Sequence, residues 1–179
     1  MKRTMATLFA LGLAATACNH TAHYLTSYKN QTEIKTLPSS ESFRIKLNPN
    51  VSFEEQVHEG NYGYSDKFLT SANFQLSVSG VRDVTLFDPG ATSTTEEMIA
   101  RMNAAGCVPA LIDDALAMGI QFPDRQKTNP IVFLGSSYRA SDGLQHFPVL
   151  VGWGGVRGLE LYWFGDDWAD LYEFAAICK

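Results

Sequence analysis

TTEEMIARMNAAGC, running from Thr94 to Cys107, is the stretch that decides the fold. Thr94 and Glu97 stand three apart as a capping-box pair, and Glu96 and Glu97 sit favourably against the positive end of a helix dipole. Met98, Ile99, Met102 and Ala105 recur at helical spacing, and Gly106 ends the run. A second helix is expected directly after it. Pro109 suits a first helical turn, Leu111, Ile112, Ala115 and Leu116 form an apolar face, and Gly119 reads as the stop. Asp113 and Asp114 read as the wet face of that helix. Adjacent helical residues point about 100° apart, so the pair does not read as a shared acid/base site.

Outward from these helices the pattern changes to period two. Upstream, Phe43, Ile45 and Leu47 alternate with Arg44 and Lys46, and Phe74, Leu76 and Val78 alternate with Gln75, Ser77 and Ser79. Val81 to Phe87 follows Gly80 and stops at Asp88-Pro89-Gly90, while Asn61-Tyr62-Gly63-Tyr64 reads as a loop. Downstream come short apolar runs at Ile131 to Leu134 and Phe147 to Val151, with a turn at Ser141-Asp142-Gly143. A glycine turn at 152–155 and an alternating strand through Leu159, Leu161 and Trp163 come next. Asp166-Asp167 marks a turn before a last strand from Tyr172 to Ile177. The expected fold class is α+β: an antiparallel sheet with two helices inserted before a C-terminal β-meander.

The chain of 179 residues is 45% hydrophobic and 12% aromatic, enough apolar surface for one packed core and too short for two ordinary domains with a linker. Its 14 basic residues against 19 acidic ones give a net charge of −5. Phosphate neutralisation drives nucleic-acid affinity, so that sign argues against a nucleic-acid partner.

The N-terminus carries an address. Lys2 and Arg3 precede an uncharged run from Met5 to Ala15, too short to span a hydrocarbon core of roughly 30 Å. Ala15-Thr16-Ala17-Cys18 then closes with small residues before a cysteine. This layout resembles a bacterial lipoprotein signal, which implies that residues 1–17 are removed and that Cys18 is lipidated as the new N-terminus. An ordinary secretory signal cleaved after Ala17 is the alternative. Asn19 follows the cysteine where Asp favours inner-membrane retention in lipoproteins of this kind, so an outer-membrane location is expected. Residues 18–41 are polar and read as a tether. His20 and His23 within it lack the neighbours a metal site needs. The folded domain is expected over 42–179. Losing Lys2 and Arg3 leaves 12 basic and 19 acidic residues, net −7. Anionic headgroups repel such a surface, so the lipid itself must hold the protein at the membrane.

Using Cys18 for lipid leaves Cys107 and Cys178. An even remainder in an oxidising compartment reads as one disulfide, closing a loop of about 70 residues and contributing roughly 4 kcal/mol in the chain-entropy model. Two buried free thiols are the alternative.

Residues 83–179 resemble a compact C-type lectin-like domain. The likeness rests on the helix from Thr94 to Ala105, Gly106-Cys107 and a second helix, followed by Val132-Phe133-Leu134-Gly135. Trp168-Ala169-Asp170 and the terminal Ala176-Ile177-Cys178 complete it. The resemblance implies the same Cys107–Cys178 bridge. It does not imply calcium-dependent sugar binding: the Glu-Pro-Asn-type tripeptide of the calcium-binding lectins is missing, and Ala169 replaces the Asn of their Trp-Asn-Asp. Gly135 and Trp168 are also only 33 positions apart, too close for the long loop. Asp166, Asp167 and Asp170 read as a charged turn rather than a cation site.

Trp153, Trp163, Trp168, Tyr138, Tyr162 and Tyr172 crowd the last third of the chain. Exposed together, they would form a stacking platform for a sugar ring or a protein loop. Trp163 and Trp168 read as core, and Trp153, in its glycine loop, as exposed. Trp153, Trp168, Asp166, Asp167 and Asp170 are therefore the candidate ligand-binding residues. No metal, cofactor or catalytic set is indicated. A non-catalytic envelope module binding protein or glycan is the expected function. One rival is a hydrolase drawing on His58, His146, Ser136, Ser137, Asp142 and Glu59; another is a periplasmic inhibitor using a loop at 61–64 or 152–155.

Overall fold

A computed structural model of the chain describes residues 41–163 and 167–179. Cys18, the tether up to residue 40, and Asp166 lie outside them. The described residues form nine strands and three α-helices in the α+β class. The strands are β1 (Ser42–Leu47), β2 (Tyr64–Ser65), β3 (Gly80–Phe87), β4 (Cys107–Pro109), β5 (Ile131–Val132), β6 (Tyr138–Arg139), β7 (Gln145–Trp153), β8 (Val156–Trp163) and β9 (Glu173–Cys178). The helices are α1 (Phe53–Glu59), α2 (Thr95–Ala104) and α3 (Ile112–Gln121).

One sheet runs β1-β3-β9-β5-β7-β8-β2, with β4 paired to β9 and β6 to β7. Most pairs are antiparallel, the exceptions being β5 with β9 and β2 with β8. Strand alternation divides the sheet between two cores. On one face Ile45, Val84, Ile131, Leu150 and Leu159 pack with Phe53 of α1 and with Ile112 and Leu116 of α3. On the other, Phe87, Val132, Val149, Val151 and Phe174 pack with Met98 and Met102 of α2. Helices therefore cover both faces. The final strand is central, because β3 takes one edge of β9 while β5 and β4 share the other. Cys107 and Cys178 lie directly opposite each other in the β4–β9 ladder, with Cα atoms 4.0 Å apart, and are joined by a disulfide.

Four expectations need correction. Residues 53–59 form a third helix where only two were expected, capped by Ser52 and Glu55 in a full capping box. Residues 74–79 do not pair as a strand. The backbone N–H groups of Ser77 and Val78 donate instead to Asp113 Oδ1, at 2.9 and 3.0 Å. Pro109 ends β4, so α3 begins three residues later and runs through Gly119 to Gln121. Gly119 serves close approach rather than termination: a Cβ there would lie 1.9 Å from the Tyr62 hydroxyl.

The fourth concerns Asp113 and Asp114, which are buried rather than solvated. Asp114 Oδ2 accepts the Leu111 N–H at 2.8 Å, completing the start of α3, and its Oδ1 lies 3.2 Å from Arg82 Nη1 without hydrogen-bond alignment. Burial pushes the Asp114 carboxyl above its ordinary range, against the Leu111 N–H and the Arg82 guanidinium, which pull it down. The folded state thus holds that proton more tightly than the unfolded chain. The resulting stability is fully present below the ordinary value of 3.8 and is lost as pH rises through the folded value. Asp114→Asn keeps an acceptor for Leu111 but cannot titrate. The stability of wild type minus that of the variant should therefore fall as pH climbs from about 3.8. Denaturant titrations across acid pH check this, and a difference that grows with pH contradicts it.

Candidate functional site

The β7–β8 hairpin builds the candidate site. Gly154 and Gly155 both take positive φ, 56° and 86°, the backbone that a two-residue hairpin turn requires. Trp153 and Val156 face each other as the closing pair of the ladder. Alternation then places Val151, Trp153, Val156, Gly158, Glu160 and Tyr162 on one face, and β2 adds Tyr64 opposite Gly158. Val151 is core. Towards the turn, however, no helix among the described residues covers the face: Trp153 is 55% exposed, Val156 54% and Tyr64 56%.

Further along the same face stand Tyr162 and Glu160, and the Trp153 indole and the Glu160 carboxyl both act on the Tyr162 hydroxyl. The exposed indole leaves its flat face open to a ligand. Gly158 makes room for this arrangement, since a Cβ there would lie 2.8 Å from Val151 Cγ2 and 3.2 Å from Glu160 Oε1. Burial first, and then the charge of Asp66, hold the Glu160 carboxyl above its ordinary range. Burial followed by Glu160 does the same to the Tyr162 and Tyr172 hydroxyls. Tyr162 packs edge-on against Tyr172, at 6.1 Å between centroids, and Tyr172 packs on Trp168. The exposed tryptophan is thus the outer end of an aromatic series that descends into the core.

Trp168 is the inner end, buried rather than ligand-facing. Its Nε1 donates to Thr95 Oγ1 at 2.8 Å, and its backbone exchanges hydrogen bonds with Ser93. Phe174 packs against its ring. It fastens the late turn to the start of α2. Asp167 and Asp170 are exposed on that turn. Among the described residues no group of three or more His, Cys, Asp and Glu is placed to hold a metal.

Trp163 departs from expectation, being 44% exposed rather than core. It lies opposite His146, which lies opposite Tyr138, on the reverse face of the hairpin, and Phe68 stacks on Tyr138 at 5.0 Å. The residues a hydrolase would draft are dispersed. Ser136 Oγ accepts the Ile112 N–H, Ser137 Oγ accepts from Gln145, and Asp142 accepts the Leu144 N–H. His58 and Glu59 are exposed on α1. His146 Nδ1 is buried and has no hydrogen-bond partner among the described residues.

Beneath the hairpin, Arg157 acts as a clasp. Its Nη1 donates to the Gly60 carbonyl at the end of α1, and its Nη2 to the Gly119 carbonyl and to Gln126 Oε1. The Gly119 carbonyl would ordinarily accept from the residue four ahead, but that residue is Pro123 and has no N–H to give. The guanidinium also covers the Tyr62 ring at 5.0 Å. The hairpin that presents Trp153 is therefore tied to the C-terminal ends of α1 and α3. The Ser52-x-x-Glu55 pair was a legible signal for α1. No comparable signal marked Gln126, whose buried amide donates to the carbonyls of Val151 and Gly158. Compared with known protein families, curated proteins and solved structures, the chain matches none.

Proposed function

We propose that this is a lipid-anchored cell-envelope lipoprotein whose extracytoplasmic domain is a non-catalytic binding module, taking glycan or protein on the Trp153 face of its β7–β8 hairpin. The observation that carries the reading is the exposed apolar cluster at the hairpin turn. Trp153 is 55% exposed, with Tyr64 and Val156 exposed on the same face and Glu160 further along it. A large apolar ring held at the surface costs solvation that a ligand recovers. The Cys18 signal and the Cys107–Cys178 bridge support an extracytoplasmic setting, since such bridges persist where thiols are not kept reduced.

Trp153→Ala tests the site. The full chain, purified from membranes in detergent, should co-sediment with isolated cell-wall and outer-membrane material. The variant should lose about tenfold or more in affinity with its unfolding midpoint unchanged. Retention of full binding by Trp153→Ala would move the site elsewhere.

A further inference from the structure

Glu160 and Asp66 give the Trp153 face a charge that no ion pair among the described residues answers, Asp66 Oδ1 accepting only the Phe68 N–H at 2.9 Å. Asp66 follows Tyr64 and Ser65 of β2, and its N–H donates to the Leu159 carbonyl at 3.0 Å, which continues the parallel ladder and sets it beside Glu160. The charge of Asp66 adds to burial in holding the Glu160 carboxyl above its ordinary range. Neither forms an ion pair among the described residues; the ion pairs there join Arg44 to Asp83, Arg82 to Asp114, Arg125 to Glu41 and Glu173, and Lys127 to Asp124. Arg157 lies under the opposite face on helix-end carbonyls, and Lys67 Nζ sits over the Phe68 ring. Two half-buried like charges next to an exposed indole are costly for the free protein, and a ligand cation relieves that cost.

Resting on the binding reading above, we propose that this face takes a glycan bearing a free amine, with a sugar ring stacked on Trp153 and its ammonium set against Glu160 and Asp66. The Tyr162 hydroxyl and the Glu160 oxygens supply directional acceptors next to the ring, suited to a polyhydroxylated ligand as well as to its charge. An acetylated amine would leave the carboxylate pair unanswered and lose the charge-assisted hydrogen bond.

The test is calorimetric titration of the full chain in detergent with a β-1,4-linked glucosamine tetramer and with its fully N-acetylated counterpart. Wild type should bind the free amine at least about tenfold more tightly than the acetylated form, a preference that weakens with salt. Asp66→Asn with Glu160→Gln, which keeps an acceptor for Tyr162, should bring the two tetramers level. Trp153→Ala should lose both. Equal binding of both tetramers by wild type, abolished by Trp153→Ala, overturns the amine inference and leaves the binding module standing. Binding that Trp153→Ala leaves intact overturns both. Failure to bind either tetramer overturns the amine-glycan assignment. If oligolysine then binds with the same dependence on Trp153 and Glu160, a basic protein segment is the ligand and the module reading survives.

Discussion

Replacing Cys107 and Cys178 together by alanine is expected to lower the unfolding free energy by about 4 kcal/mol. The bridge closes a loop with a sequence separation of 71, which contains α3 and every strand from β4 to β9. Releasing it returns that loop's entropy to the unfolded chain. In the folded chain the bridge joins β4 to the last residue of β9, the strand on which β3, β4 and β5 all converge. Urea midpoints should drop for the double variant, and wild type in excess reductant should fall to match it. A loss below about 1 kcal/mol would mean that the ladder holds the chain end unaided.

Trp168→Ala should cost about 3–5 kcal/mol, the range for removing a buried aromatic side chain. The ring is only 5% exposed and packs on Tyr172 and Phe174, and its indole N–H is the buried partner of Thr95 Oγ1. Trp168→Phe should restore most of the packing and fall short by about 1 kcal/mol for the missing hydrogen bond. Because Tyr172 sits between Trp168 and Tyr162, the alanine variant should also weaken ligand binding, whereas Thr95→Val should lower stability alone. A Trp168→Ala protein of near wild-type stability would refute the anchoring role.

The physics that was legible in the sequence was local. The Thr94–Glu97 capping box lies within one turn and was readable, as was the two-fold alternation of β1. The Gly154-Gly155 turn needs only its own two positive φ angles. What escaped depends on contacts distant in sequence. Asp113 looks like a surface residue until the N–H groups of Ser77 and Val78, more than thirty positions earlier, are folded onto it. Gly119 looks like a helix stop until Tyr62 comes to rest against it. Trp163 shares the alternation of Leu159 and Leu161, but the apolar cover on that face ends before it, so pattern alone set it inside. At the candidate site, Trp153 was readable from its glycine turn. Glu160 and Asp66 were not, because their pairing depends on the parallel register of a two-residue strand that carries no periodic signal. The carboxylates that were readable, Asp167 and Asp170, lie exposed on the turn beyond β8.

The account as a whole rests on export and acylation, and the intact mass of the protein purified from membranes tests both at once. The proposal requires a species beginning at Cys18 that carries a diacylglyceryl group and is two hydrogens lighter for the Cys107–Cys178 bridge. A mass equal to the unmodified chain from Met1, with three titratable thiols, would contradict it.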